Sequence, residues 1–151
     1  MIVYRIAKQR YLSDMTGTGS RLYGGRWNKV GLPLLYTSSH LSLAVLELLA
    51  NHVRNLIDHT YGYVTIEVPD NQIKKIDLNT LHRDWRISPY HDSTTQLGSR
   101  WIQHQESLAL LVPSVALHQE HNLLINPLHP DNASIKIIDY GPLELDGRII
   151  Q

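Results

Sequence analysis

The sequence predicts an α+β domain in which a compact mixed β-sheet carries a few packed helices. Short apolar segments with the length and alternation of strands outnumber the segments of helical character. The helical segments also do not alternate with the strands in the regular way that a parallel βαβ array requires. A chain of 151 residues is large enough to bury one sizeable core. We therefore expect a single domain that spans residues 1–151.

Eight segments have the β-branched and apolar composition of strands and are bounded by turn residues. In the first of them Arg5 stands among apolar neighbours, which a strand permits if the arginine points to the other face. The sequence PDN at residues 69–71 predicts a hairpin-like link between the third and fourth strands. Gly141-Pro142 predicts a turn between the last two. The predicted strands are residues 1–7, 34–37, 63–68, 73–78, 108–112, 122–125, 134–140 and 143–149.

Two segments are predicted helices. The first begins near His40, after a serine cap, and ends between residues 51 and 54. Its side chains are apolar on almost every side, so other elements of the fold must cover it. Glu47 is its only acidic residue, and the carboxylate emerges from an apolar patch. The second helix is predicted over residues 94–105, although Gly98 disfavours it.

Two further stretches are predicted to be irregular. Residues 8–28 are rich in Gly, Ser and Thr and show no periodicity, which indicates a long loop. Residues 81–89 contain Trp85 among turn residues. Long loops in compact domains are often functional, so residues 8–28 are expected to contribute to a site, with a merely solvated excursion as the alternative.

Composition and charge exclude several classes of function. Lys and Arg together number 14, as do Asp and Glu, so no global field attracts the chain to nucleic acid or to an acidic membrane. The absence of cysteine excludes a disulfide framework, a thiolate metal site and a thiol nucleophile. The first residues lack the pattern of a secretory signal, and no apolar run approaches the ~20 residues that span a bilayer. We expect a cytoplasmic protein.

Three polar residues lie close together in the sequence, each on a different kind of element. Gly24-Gly25 allows the backbone to approach a ligand closely, and Arg26 offers a planar fork of donors suited to phosphate. Tyr36 can stack on a flat ring or place its hydroxyl on a sugar, and Glu47 can stabilise an oxocarbenium-like centre. The combination suits cleavage of the bond between a ribose and a good leaving base in a dinucleotide. The structural alternative is that Arg26 and Glu47 form a buried ion pair and Tyr36 is a core residue.

Other motifs carry weaker signals. The sequence GTG at residues 17–19 lacks the third glycine of a dinucleotide-binding loop at the required spacing. The nine histidines match no known ligand spacing, so no metal site is expected. Ser114 follows a strand, but its neighbours lack the glycines of a nucleophile elbow.

Ordered segments from residues 4–5 to Pro130 resemble the RES domain family. The resemblance rests on GGRWN at 24–28, GLPLLYTS at 31–38, LAVLE at 43–47, VPSV at 112–115 and NLLINPLHP at 122–130. It implies a fold similar to that of ADP-ribosyltransferases. It also implies a toxin of a bacterial type II toxin–antitoxin pair that degrades NAD+ by hydrolysis or phosphorolysis at the nicotinamide–ribose bond. The alternatives are a protein ADP-ribosyltransferase that uses the same pocket and a non-catalytic nucleotide- or antitoxin-binding module.

The resemblance also implies roles for individual residues. By this resemblance, the expected catalytic residues are Arg26, Tyr36 and Glu47. Ser114 and Asn126 would hold ribose hydroxyls or the carboxamide. The expected substrate-binding residues are Arg5, Gly25, Trp27, Asn28, Ser38, Ser114 and Asn126.

Ligand and partner expectations follow from the same resemblance. NAD+ is expected as the substrate, without a cofactor. The expected protein partner is an Xre-family antitoxin, and a homodimer within a toxin–antitoxin assembly is left open. No nucleic acid or membrane is expected to bind this chain directly.

Overall fold

A computed structural model describes residues 1–51, 57, 58 and 60–150. This part of the chain forms seven strands and three helices around one mixed sheet, which confirms the predicted fold class. The strands are β1 (Ile2–Lys8), β2 (Leu35–Ser38), β3 (Tyr61–Glu67), β4 (Ile73–Lys75), β5 (Ala109–Pro113), β6 (His121–Ile125) and β7 (Lys136–Pro142). The helices are α1 (Thr18–Tyr23), α2 (Leu41–Asn51) and α3 (Asp92–His104).

The strand order in the sheet is β4-β5-β6-β2-β1-β3-β7. All neighbouring strands run antiparallel except β4 and β5, which are parallel. Within the described residues, β1 and β2 share a single register pair, Tyr4 with Ser38, whereas β1 pairs with β3 along its whole length. The two central strands therefore separate beyond Tyr4 and Ser38, and this separation positions the site described below.

The core lies on both faces of the sheet. Neighbouring residues of one strand belong to different apolar clusters, as for Leu123 and Leu124 in β6, because successive side chains of a strand point to opposite faces. On one face of the sheet, α3 contributes Trp101 and Ile102 to an apolar cluster. The other members of this cluster are Trp27, Leu34, Ile76, Leu110, Val112 and Leu124. The cluster on the other face is built largely from the strands themselves.

Several predicted elements are confirmed with small shifts of their ends. Helix α3 starts two residues earlier than predicted because the His91 side chain accepts a hydrogen bond from the Ser93 N–H and caps it. Residues 81–89 contain no strand or α-helix, as predicted. The predicted end of the first helix, residues 51–54, falls partly outside the described residues.

The prediction of an unbroken loop over residues 8–28 is wrong, because the stretch contains helix α1 and a 3-10 turn at Gln9–Tyr11. Tertiary contacts hold α1 in place. The Ser20 hydroxyl donates to the Leu34 carbonyl at 2.6 Å and accepts from the Leu34 N–H at 2.8 Å. A helix of six residues leaves too short a periodicity to be recognised in the sequence.

Two predicted strand pairs are also wrong. Strand β4 does not return against β3 but lies at the opposite end of the sheet, beside β5. At the C-terminus β7 is one strand along β3, and residues 143–149 form no strand. Leu143 and Leu145 instead pack against the cluster of Leu48, Ile57 and Tyr61.

Within the described ranges, no helix combines the length and the apolar character needed to cross a bilayer.

Gly98 allows α3 to approach the loop that carries Arg26. A Cβ atom at Gly98 would lie 1.9 Å from the Trp27 carbonyl oxygen, whereas one at Gly19 in α1 would meet no atom within 4 Å. We expect Gly98→Ala to lower the free energy of unfolding by about 1–3 kcal/mol, because the clash outweighs the higher helix propensity of alanine. Gly19→Ala should be neutral or stabilising by up to about 1 kcal/mol. Urea unfolding of both variants tests the contact, and equal midpoints would contradict it.

Candidate active site

A cleft of about 930 Å³ opens where β1 and β2 separate. Arg5 and Ile6 line it from β1, Leu35 and Tyr36 from β2, and Glu47 from α2. The loop that includes residues 88–90 and the turn after β5 line it as well. This volume is within the range of natural small-molecule sites.

Glu47 is the acidic residue of the cleft wall, and its carboxylate is held in one orientation. The half-buried side chain accepts two hydrogen bonds of 2.6 Å on the same oxygen, Oε1. One comes from the Ser114 hydroxyl and the other from the Asn122 amide. Oε2 accepts no hydrogen bond from the described residues. The carboxylate therefore has one fixed oxygen and one that is available to a ligand.

Arg26 is fixed by backbone carbonyls. Its Nη1 donates to the carbonyls of Trp85 at 2.7 Å and Ile87 at 3.0 Å, and its guanidinium lies 5.7 Å from the centroid of the Tyr90 ring. Burial lowers the pKa of Arg26, and the charge of Glu47 opposes this shift. The side chain remains a cation because the pKa of arginine starts so high.

The buried ion pair considered in the sequence analysis does not form. Arg26 and Glu47 are both among the described residues, yet no nitrogen of Arg26 lies within 4.0 Å of a Glu47 carboxylate oxygen. Their charges interact at a longer range. The two groups therefore line the same cleft without neutralising each other by direct contact.

Tyr36 presents its ring to the cleft while its hydroxyl end is enclosed. The residue keeps 36% of its surface exposed, but its hydroxyl donates to Asn28 Oδ1 at 2.6 Å and accepts from the Trp27 N–H at 3.1 Å. Burial raises the pKa of Tyr36, so the phenol is neutral at physiological pH. A Cβ atom at Gly25 would lie 2.5 Å from this hydroxyl, so glycine is required for the approach.

Arg5 brings a second guanidinium to the cleft. Its Nη1 donates to the carbonyls of Tyr11 at 3.2 Å and Leu12 at 3.4 Å. Burial lowers the pKa of Arg5, and the carboxylate of Asp14 opposes this shift. Among the described residues, the cleft lining thus contains two arginines and one carboxylate, which favours a ligand with negative charge.

All but one of the site residues predicted from the sequence fall into two groups. Those that line the cleft are Arg5, Gly25, Arg26, Trp27, Tyr36 and Glu47. Asn28, Ser38 and Ser114 lie outside the lining and hold residues that form it. Asn28 accepts from Tyr36, Ser38 donates to Asn122, and Ser114 donates to Glu47.

Ser114 and Asn126, which were expected to contact ribose or the carboxamide, are buried and lie outside the cleft lining. Both residues are 0% exposed. The Ser114 hydroxyl donates to Glu47 and accepts from the Leu117 N–H at 3.1 Å. Asn126 does not line the cleft, and its amide donates to the Ile102 carbonyl and accepts from the Leu128 N–H. Both side chains are therefore bonded to other groups of the protein.

Asn122 is a cleft residue that the sequence analysis did not single out. It lies in β6 next to a run of apolar residues, which identifies the strand. A single asparagine in a strand gives no sign of its role. Its contact with Glu47 joins residues 75 positions apart in the chain. Only the pairing of β6 with β2 brings the amide under α2.

The fold and the site together define an α+β protein with a cleft between its two central strands. Arginine, tyrosine and glutamate side chains line this cleft. The family model named RES domain matches residues 2–146. The chain therefore belongs to the RES domain family, which confirms the resemblance found in the sequence.

Similar proteins carry toxin names. "Toxin Res" of Photorhabdus laumondii is 35% identical over 156 aligned positions, which cover 100% of this chain and 98% of that protein. "Prs ADP-ribosylating toxin" of a Sphingobium species is 39% identical over 141 positions, which cover 91% of this chain and 88% of that protein. By this similarity along its length, the chain is a toxin of the RES type.

A solved structure supports the fold. The crystal structure of the M. tuberculosis MbcT–MbcA toxin–antitoxin complex contains a chain similar to this one, with a TM-score of 0.74. The match covers 94% of this chain and 83% of that chain at 16% sequence identity. At this identity the likeness concerns the fold alone.

The close approach of Gly25 to Tyr36 can be tested with a double-mutant cycle. We expect Gly25→Ala to lower the free energy of unfolding by about 1–3 kcal/mol, because the added methyl group displaces the Tyr36 hydroxyl from Asn28. In a Tyr36→Phe background the same change should cost clearly less, since the clashing oxygen is absent. Urea unfolding of the four proteins gives the coupling, and additive effects would show that the two residues do not interact.

Proposed function

We propose that this protein is an NAD+-cleaving toxin that breaks the bond between nicotinamide and ribose and transfers ADP-ribose to water or phosphate. The observation that carries the proposal is the orientation of Glu47. Two hydrogen bonds fix one carboxylate oxygen and leave the other in a cleft that also contains two guanidinium groups. Such a site suits an anionic substrate in which positive charge develops on a sugar.

The substrate fits the chemistry of the lining. The pyrophosphate of NAD+ is an anion that guanidinium groups bind well, and Arg26 retains donors on Nε and Nη2 after it has bound the carbonyls of Trp85 and Ile87. The partly exposed ring of Tyr36 offers a surface for the nicotinamide or its ribose. The nicotinamide ribose then lies between Tyr36 and Glu47.

The reaction needs little acid catalysis. When the bond between C1′ and nitrogen breaks, its electron pair neutralises the positively charged nicotinamide ring, which leaves without protonation. The ribose acquires oxocarbenium character, and the Glu47 carboxylate stabilises this charge more in the transition state than in the substrate. Water that attacks C1′ loses one proton and yields ADP-ribose. Phosphate that attacks C1′ yields the phosphorylated ADP-ribose.

A protein partner belongs to the same proposal. The similar M. tuberculosis chain was crystallised in a toxin–antitoxin complex, and a relative matched over 98% of its length is named a toxin. We infer that an antitoxin of the Xre family, which the family resemblance implies, neutralises this chain in the cytoplasm, where NAD+ is consumed.

Protein ADP-ribosylation is the second candidate. The specific observation in its favour is the relative of 39% identity named "Prs ADP-ribosylating toxin". The same cleft serves this reaction if the side chain of a protein acceptor, in place of water or phosphate, attacks C1′. The two candidates share the role of Glu47 and differ only in the acceptor.

Glu47→Gln tests the role of the carboxylate. Glutamine keeps the shape and still accepts the hydrogen bonds from Ser114 and Asn122, but it removes the negative charge. We expect the turnover of NAD+ to fall by roughly 10²-fold or more while binding persists, because a preorganised charge acts mainly on the transition state. The matched control is Glu67→Gln, which changes an exposed glutamate of β3 outside the cleft. Full turnover in Glu47→Gln would exclude the proposed role.

The acceptor is identified by following NAD+ with mass spectrometry. If the proposal is correct, purified protein alone converts NAD+ into nicotinamide and ADP-ribose, or into the phosphorylated product when phosphate is added. If the second candidate is correct, NAD+ is consumed only when a protein acceptor is present and becomes labelled. A chain that binds NAD+ without consuming it under either condition is a non-catalytic module.

A further inference from the structure

Asn122 and Ser38 form a short chain of hydrogen bonds that ends on Glu47. The Ser38 hydroxyl donates to Asn122 Oδ1 at 2.7 Å, and Asn122 Nδ2 donates to Glu47 Oε1 at 2.6 Å. Ser38 and Asn122 are register partners on the adjacent strands β2 and β6. The sheet therefore holds two of the three groups at a fixed separation, and the third reaches them from helix α2.

The direction of this chain is set by the carboxylate. An amide can bind a carboxylate only through its N–H groups, because its carbonyl oxygen would oppose another acceptor. Asn122 must therefore turn Nδ2 towards Glu47 and Oδ1 towards Ser38. Ser38 must then act as the donor, as the geometry shows.

Ser114 is directed in the same way from the other side. The Leu117 N–H donates to the Ser114 hydroxyl oxygen at 3.1 Å, and the hydroxyl gives its own proton to Glu47 Oε1. Two donors on Oε1 occupy the lone pairs of that oxygen. The remaining lone pairs of the carboxylate are then on Oε2.

We propose that Asn122, held by Ser38, is a positioning residue that fixes the orientation of the Glu47 carboxylate through Oε1 and so leaves Oε2 for the substrate. The inference rests on the proposed function of the cleft. It assigns to β6 a part in the reaction beyond that of a core strand. Asn122 acts through Glu47, and the guanidinium of Arg26, which also lines the cleft, interacts electrostatically with the same carboxylate.

The main test is Asn122→Asp, which replaces the donor by a carboxylate oxygen at nearly the same position. Two carboxyl groups in such close contact share one proton at neutral pH, so Glu47 loses part of its charge. We expect kcat to fall by about 10²-fold at pH 7 with little change in KM, the order caused by a misplaced catalytic group. The loss should diminish as the pH rises and the shared proton leaves. A merely structural role of Asn122 gives no such alkaline recovery.

Ser38→Ala provides a milder variant if Asn122→Asp folds poorly. It removes the bond that fixes the amide but leaves the amide itself, so kcat should fall several-fold with KM unchanged. The control is Ser134→Ala, which removes an exposed hydroxyl that donates to the Asp131 carbonyl outside the cleft. Ser134→Ala should keep wild-type kcat.

A measurement that does not depend on turnover separates this inference from the proposed function. Carbon-13 NMR of the side-chain carboxyl groups should show two carboxyls that titrate as a coupled pair in Asn122→Asp, whether or not the wild type cleaves NAD+. If the wild type cleaves no NAD+, the proposed function fails, and coupled titration still supports Asn122 as the residue that holds Glu47. Independent titration, or wild-type kcat in both variants, overturns the inference.

Discussion

The separation of β1 from β2 is the constraint on which the site depends. The strands share one register pair, Tyr4 with Ser38, and the backbone groups beyond it are free to border a cleft. The rest of the sheet supports this break, because β1 is paired along its whole length with β3 and β2 is paired along its whole length with β6. Each central strand therefore has one complete neighbour, and the sheet tolerates an incomplete contact in its middle.

The polar groups of the cleft are fixed before any ligand arrives. Arg26 is held by the carbonyls of the loop that includes Trp85, Tyr36 by the Trp27 N–H and Asn28, and Glu47 by Ser114 and Asn122. Partners of this kind offset the cost of placing charged and polar side chains in a half-buried wall. They also reduce the reorganisation that a reaction would require, since the charges already point into the cleft.

The strands and helices that could be predicted from the sequence are those with a recognisable pattern of apolar residues along the chain. Alternation identified most strands, and a continuous apolar run identified α2. The pairing of β4 and the single strand β7 could not be predicted in this way, because alternation reports which side chains are buried and not which strand lies alongside. Helix α1 was missed for a related reason, since contacts between Ser20 and Leu34 stabilise it more than its own sequence does.

By itself the sequence determined the α+β class, the family and the residues that line the cleft through local motifs, Arg26, Tyr36 and Glu47 among them. The tertiary structure decided what those residues touch. It placed Asn122 and Ser114 beside Glu47 as donors to the carboxylate and bonded Asn126 to the Ile102 carbonyl. The physical reason is distance along the chain. Partners that are 67 and 75 positions from Glu47 meet it only when β5 and β6 join the sheet beneath α2, and no local pattern records that meeting.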